Sequence, residues 1–266
     1  MLAQAKIIKQ YTIEIPQACL PEQSLAVLPA RELPYLLGEH LLKIHLYRYS
    51  LPDSPAAEQA SPSWQAIRFQ IDQKDEQGRF VITQTDNQLD NQATLGIRDE
   101  IVFRMNDAGE RLDANSSTLA QSSLIEIALK EAGTNNTHWL YINTEPEIQS
   151  EAIQKQTRKD TEARLFYSQK DDSITSPIYK IGFNATTPFL VDSFQWRLPT
   201  SLWGENVSDM MKIRHYGHFL GLPFKRTQED YSSKLIAVKK GPLRIIRRTE
   251  NRVKVLWKLK TPGLYI

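Results

Sequence analysis

Apolar residues alternate with polar ones along most of this chain, and the alternation predicts strands. In KIIKQYTIEIPQ (Lys6–Gln17), Ile8, Tyr11, Ile13 and Ile15 stand among polar neighbours, so a strand is expected that Pro16 ends. ELPYLLGEHLLKIHLYRYSL (Glu32–Leu51) fits a short helix or a strand through Leu41-Leu42 and Leu46-Tyr47, its Tyr/Ile/His-rich end favouring a strand. A polar, proline-spaced loop follows from Pro52 to Ser63. WQAIRFQID (Trp64–Asp72) alternates imperfectly through Trp64, Ile67, Phe69 and Ile71, and predicts one strand. RFVITQT (Arg79–Thr85) returns from it as a hairpin partner after a turn at Gly78.

DNQLDNQATLG (Asp86–Gly96) is an acidic, amide-rich loop. It delivers the chain to EIVFRM (Glu100–Met105), a β run closed by Gly109. SSLIEIALKEAG (Ser122–Gly133) reads as a strand or one short helix, and THWLYINTE (Thr137–Glu145) as a strand. Further strands are expected in ARLFYSQ, PIYKIGFNA, PFLVDSFQWRL, SKLIAVKK, PLRIIRRT and RVKVLWKLK, while SDMMKIRHYGHFLG (Ser208–Gly221) stays open between helix and strand. Strands about 8–15 residues apart, with little helical periodicity, indicate an all-β protein of antiparallel β-sandwiches with few short helices. No repeat of fixed period argues for a propeller or a solenoid.

The most polar stretch, 146–163, divides the chain into two packed halves, 1–145 and 164–266. The chain stops in TPGLYI (Thr261–Ile266), an apolar run after a turn signal, so the second half is expected to be completed by residues beyond Ile266.

Composition narrows the picture. With 33 basic and 31 acidic residues the net charge is +2, and no global field points to nucleic acid or an anionic membrane. One cysteine, Cys19, rules out an intrachain disulfide and a multi-thiolate zinc site. No apolar run approaches the roughly 18 residues of a spanning helix. Leu2-Ala3-Gln4-Ala5 has the small-x-small form of a secretory cleavage site, without the charged and apolar segments that precede one. A start near a processed end and a chance match both stay open.

Candidate chemistry is sparse. Asp72, Asp75 and Glu76 stand beside Gly78 in a spacing loosely like a calcium loop, and Asp99 lies on the next strand. A hard cation takes six to eight oxygens from such loops, but the alternate-position ligands and distal Glu of an EF-hand are missing. The alternative is turns solvated by acids, with Asp75 or Asp90 as a cap. Asp99 and Glu100 are adjacent, so on a strand they point to opposite faces and cannot form a glycosidase pair together. His215 and His218 would share a face on a helix and oppose each other on a strand. With Lys212, Arg214 and Tyr216 they could make a basic, aromatic groove for an acidic sugar or a lyase-type base, against the plainer alternative of a surface turn with partly buried rings. Trp196, Trp203, Tyr216 and Trp257 could stack on sugar rings or fill the core. No nucleophile elbow, phosphate loop or dinucleotide fingerprint is present, so no cofactor beyond calcium is expected. The basic C-terminal stretch KKGPLRIIRRTENRVKVLWKLK alternates as a half-buried hairpin with TEN at its turn, and its outer face could meet a polyanion.

WQAIRFQID followed by DEIVFRMNDAG, then THWLYI, ARLFYSQKDDSITSPIYKIGF and GPLRIIRR, resembles in order a largely uncharacterised group of exported bacterial β-sandwich proteins. A more distant similarity is to the N-terminal regions of pectin- and rhamnogalacturonan-utilisation proteins. The motifs cover about two thirds of the chain and describe strands and turns, not a reaction. Arg68 stands where that group has Pro, and Ile97-Arg98 replaces its acidic-amide pair, so no functional residue is carried over. The resemblance implies a periplasmic or extracellular protein. The expected function is a non-catalytic binding or surface-structural module for a polysaccharide or another envelope component. The alternative is a carbohydrate-active enzyme, lyase or hydrolase, completed by further chain.

Overall fold

The computed structural model describes residues 6–15, 24–51, 63–82, 93–112, 123–144, 165–209, 211–219, 221–256, 259–260 and 263–265. The cleavage-like Ala3–Ala5, Cys19, Asp90, Trp257 and the polar connector 146–163 lie outside them. The protein is all-β: strands dominate, and the described helices are single 3-10 turns. No helix among the described residues is long and apolar enough to cross a membrane. The chain divides into two compact units: Met1–Val81 with Gln88–Thr161, and Ile82–Asn87 with Glu162–Ile266.

The first unit is a sandwich. One sheet holds β1 (Lys6–Ile15), β3 (His45–Ser50), β4 (Ser63–Ala66), β7 (Ser123–Glu131) and β8 (Thr137–Asn143), in the order β1-β7-β8-β3-β4. The other orders β2 (Leu25–Pro29), β6 (Glu100–Arg104) and β5 (Phe69–Asp72) as β2-β6-β5. Ile13, Ile127, Leu140 and Ile142 from the larger sheet meet Leu28, Ile71, Ile101 and Phe103 from the smaller in one apolar core. Leu33, Leu36, Leu41 and Ile44, from the 3-10 turns before β3, close it.

Three details depart from the expectation. β1 pairs β7 in parallel, which an antiparallel meander does not supply; the long chain between them provides the crossover that parallel pairing needs. WQAIRFQID is two strands in two sheets: Trp64 pairs Tyr49, whereas Phe69 pairs Phe103. The parity slip between Trp64 and Ile67 is where the chain changes sheets, because an odd step turns the next side chains to the other face. The return after Gly78 (φ 76°) is a turn with a single bridge, Lys74 to Phe80, and residues 83–85 of RFVITQT lie outside the described residues.

β7 resolves as a strand, and its ambiguity has a cause. Leu124 through Ala128 are buried without interruption, because β7 is central and covered on both faces. Leu124 packs with Tyr47, Tyr49 and Tyr141 on the face away from the main core.

The second unit contains an antiparallel sheet of β9 (Phe166–Ser168), β10 (Ser173–Thr175), β11 (Tyr179–Phe183) and β12 (Val191–Trp196), ordered β12-β11-β10-β9. A hairpin follows from β13 (Arg214–Phe219) and β14 (Leu222–Thr227), so the open SDMMKIRHYGHFLG stretch is a strand. Then β15 (Tyr231–Lys240) pairs β16 (Ile245–Leu256) antiparallel, and β17 (Leu259–Lys260) and β18 (Leu264–Tyr265) both pair back onto β16.

The expected TEN turn is corrected here. Thr249, Glu250 and Asn251 lie inside β16, opposite Leu235, Lys234 and Ser233, and the turn is Gly241–Arg244, closed by the Gly241 N–H donating to the Arg244 carbonyl (3.1 Å). Thr249 and Asn251 are buried, and Asn251 accepts from Ser233 Oγ at 2.7 Å and donates to Thr249 Oγ1 at 3.0 Å. Local composition suggested a turn, but cross-strand hydrogen bonds satisfy these polar side chains in an extended chain.

Candidate binding surface

The predicted acids turn out to be fasteners. Asp72 is fully buried and accepts twice from Gln70 Nε2, at 2.8 and 3.0 Å. Asp75 holds the Gly78 turn, accepting from the backbone N–H of Gln77 (3.0 Å) and Arg79 (2.9 Å) and from Arg79 Nε (2.8 Å). Partial desolvation pushes its carboxyl up, but the hydrogen bonds and charge of Arg79 outweigh this and leave it below the ordinary value. Asp99, buried before β6, accepts from the backbone of Lys74 (2.9 Å) and Gly96 (2.7 Å). Glu100 on the other face pairs with Lys74. Among the described residues no group of three His, Cys, Asp or Glu side chains is placed to hold a metal ion. Asp99 borders β6 as expected, but neither it nor Asp72 meets water: both are buried, which protein donors make tolerable.

Glu126 is a buried acid that the sequence reading passed over. It sits in mid β7 at 2% exposure and accepts from Gln10 Nε2 (3.0 Å) and Tyr141 Oη (3.3 Å), with Arg111 3.8 Å away. Burial and that neighbouring carboxylate raise the Tyr141 phenol well above its usual range, against the pull of the Leu112 N–H. Its signal was a lone acid inside the apolar run LIEIAL.

Aromatic side chains reach solvent in the second unit. Along β12 the rings of Phe194 and Trp196 stand edge to face at 4.8 Å, and Phe194 stacks on Tyr179 of β11 at 5.9 Å and 15°. Trp196 ends this row half-exposed, at 50%. The chain then folds back: Gly204 N–H donates to the Trp196 carbonyl and Val207 N–H to the Phe194 carbonyl, both at 2.9 Å. This sheaths the edge of β12, so the row presents rings rather than unpaired backbone. Trp203 bridges Arg197, whose guanidinium lies 5.8 Å from its ring. Arg197 alternates with Trp196 along the chain, so Trp203 and Trp196 belong to opposite sides of the ribbon.

The β13–β14 register sorts the remaining candidates. Arg214, Tyr216 and His218 pair with Thr227, Lys225 and Pro223 on one face; His215 and Gly217 pair with Arg226 and Phe224 on the other, which Leu222 shares. His215 Nδ1 meets Tyr231 Oη at 2.7 Å, so it is separated from Tyr216 and His218 and leaves the candidate set. Tyr216 is 68% exposed, with Lys225 Nζ 5.6 Å from its ring centroid. Lys225, Tyr179 and Phe194 were missed in sequence. The turn at Gly221 (φ 79°) was the available signal for Lys225, since a two-residue connection there sets Tyr216 opposite it.

Compared with models of protein families, with curated proteins and with solved structures, the chain returns no match.

Proposed function

We propose that this chain is a non-catalytic carbohydrate-binding β protein acting at or outside the cell envelope. The observation that carries the reading is the Tyr179–Phe194–Trp196 row, whose outermost ring is half-exposed and backed by the others. A sugar ring has an apolar face that stacks on an indole, and an indole held by neighbouring rings loses little freedom when it binds. Exposed Leu198 and Leu202 beside it extend the apolar surface. The export part of the proposal rests on the motif order that resembles exported proteins.

The test is a glycan array with the whole chain, followed by Trp196→Ala. Retention of a glycan that the variant loses while keeping its strand circular dichroism supports the reading. A hit that is degraded, with reducing ends released over time, overturns the non-catalytic part. Binding that Trp196→Ala leaves untouched overturns the row.

A further inference from the structure

We infer that the outer face of the β13–β14 hairpin is a second, charged site that takes carboxylated polysaccharide, with Tyr216 under the sugar ring and Arg214 and Lys225 on its carboxylates. This rests on the glycan-binding reading above and names a ligand class for it.

Three residues of the hairpin's inner face are tied to the fold, although Leu222 on that face is exposed. His215 is bonded to Tyr231, Arg226 Nε donates to the Lys254 carbonyl (2.6 Å), and the Phe224 ring lies over Gly217, where an added Cβ would fall 2.8 Å from Cζ. The outer face is left with Arg214, Tyr216, His218, Pro223 and Lys225, all exposed. A ring exposed at 68% contributes little to folding, and a two-stranded ribbon has little apolar burial to spare. Packing therefore does not account for Tyr216.

Charge indicates what does. The outer face carries Arg214 and Lys225 and no Asp or Glu, in a chain whose charges nearly cancel; Lys212, just before β13, pairs with Asp209 (3.6 Å), and Arg226 belongs to the inner face. A local single-sign face on a near-neutral protein selects an anionic partner without drawing polyanions to the whole surface. Guanidinium and ammonium groups hold carboxylates through charge-assisted hydrogen bonds, and the phenol between them offers a stacking face. Single-stranded nucleic acid fits less well, because its platforms stack successive bases on several rings and this face offers one.

The test uses the full chain in affinity electrophoresis through gels containing carboxymethyl-cellulose, hydroxyethyl-cellulose or no polymer, with an oligothymidylate titration alongside. Wild type is expected to be retarded most by the carboxylated polymer, less so as salt rises. Lys225→Glu and Tyr216→Ala are each expected to weaken that retardation about ten-fold, as loss of one strong contact does. Lys43→Glu, the same charge change at an exposed position of the first unit, is expected to leave it at the wild-type value. Equal weakening by Lys43→Glu overturns the site in favour of net charge, and tighter oligothymidylate binding overturns the ligand class. Retardation by the neutral polymer alone removes the charged site and leaves the glycan reading standing. Retardation by neither polymer, with an empty glycan array, removes both. Melting curves of the variants matching wild type confirm that a loss is local.

Discussion

The two units solve the burial problem differently. The first joins two sheets over a continuous aliphatic core in which Leu28, Leu33, Ile101, Phe103, Leu140 and Ile142 are fully buried. In the second, among the described residues, the buried apolar side chains are Tyr167, Leu190 and Leu243, while Ser173, Ser176, Thr187, Thr249 and Asn251 are buried beside them. Its interior is tied by specific polar contacts. Arg247 forms a two-pronged pair with Asp172, Tyr167 Oη donates to the same carboxylate at 2.8 Å, and the Arg247 guanidinium lies 3.4 Å from the Phe183 ring centroid. The first unit also buries Gln70, Asp72, Asp99, Glu126 and Asn143, but beside a far larger aliphatic core, whereas in the second the polar contacts carry more of the interior and need each partner in place. The unit with less oil inside also displays more rings outside: Phe166, Trp196, Trp203 and Tyr216, against Tyr35 in the first.

The comparison breaks first at Phe103. Phe103→Ala leaves a void between the sheets and is expected to cost about 3–5 kcal/mol, read from urea unfolding. A loss near 1 kcal/mol would mean that the core is not close-packed. Gly109→Ala comes next. An added Cβ would lie 2.3 Å from the Tyr49 carbonyl oxygen, where Gly109 bridges Trp139, so the bridge must open at about 1–3 kcal/mol.

Arg247→Ala tests the other strategy. It leaves Asp172 with Tyr167 as its remaining partner here, and is expected to cost about 1–3 kcal/mol, since the carboxylate keeps some access to water. Arg247→Met, which keeps the packing against Phe183 but not the charge, should recover part of that only if stacking matters as much as pairing.

Amide exchange sharpens the contrast locally. Protection is expected to be greatest in β7 and β8, buried between neighbours, and least in β13–β14, a ribbon with one face in solvent. The smallest effect is a pH trend. Burial, with the Asp172 carboxylate beside it, pushes the Tyr167 phenol from 10.0 up to about 12. The folded state then keeps a proton that the unfolded chain releases, so stability is full below pH 10.0 and falls as pH rises toward about 12. Tyr167→Phe should flatten that decline in a series of alkaline melts.

Much of the fold was legible because strand burial writes itself into the sequence at period two. Ile8 to Ile15, EIVFR and THWLYI all form strands where alternation or a short apolar run placed them, and Met105 opens a 3-10 turn. The failures share a cause. Trp64–Asp72 looked continuous because a change of sheet leaves only a one-residue slip in the pattern, and TEN looked like a turn because composition carries no information about partners across a sheet. The candidate surface was legible only as residue types. Arg214, Tyr216 and His218 were named from the sequence, but Lys225 joins them, and His215 leaves them, through the β13–β14 register.

Taken alone, the order of apolar and polar residues determined that this polypeptide forms sheets, since side-chain alternation is a local consequence of the extended backbone. Which strands became neighbours was decided in three dimensions, where pairing between distant segments settles which acids are buried against donors and which rings are left facing water. Asp99 went inward because Lys74 and Gly96 present backbone N–H groups to it, and Tyr216 stayed outward because Gly217 yields the inner face to Phe224.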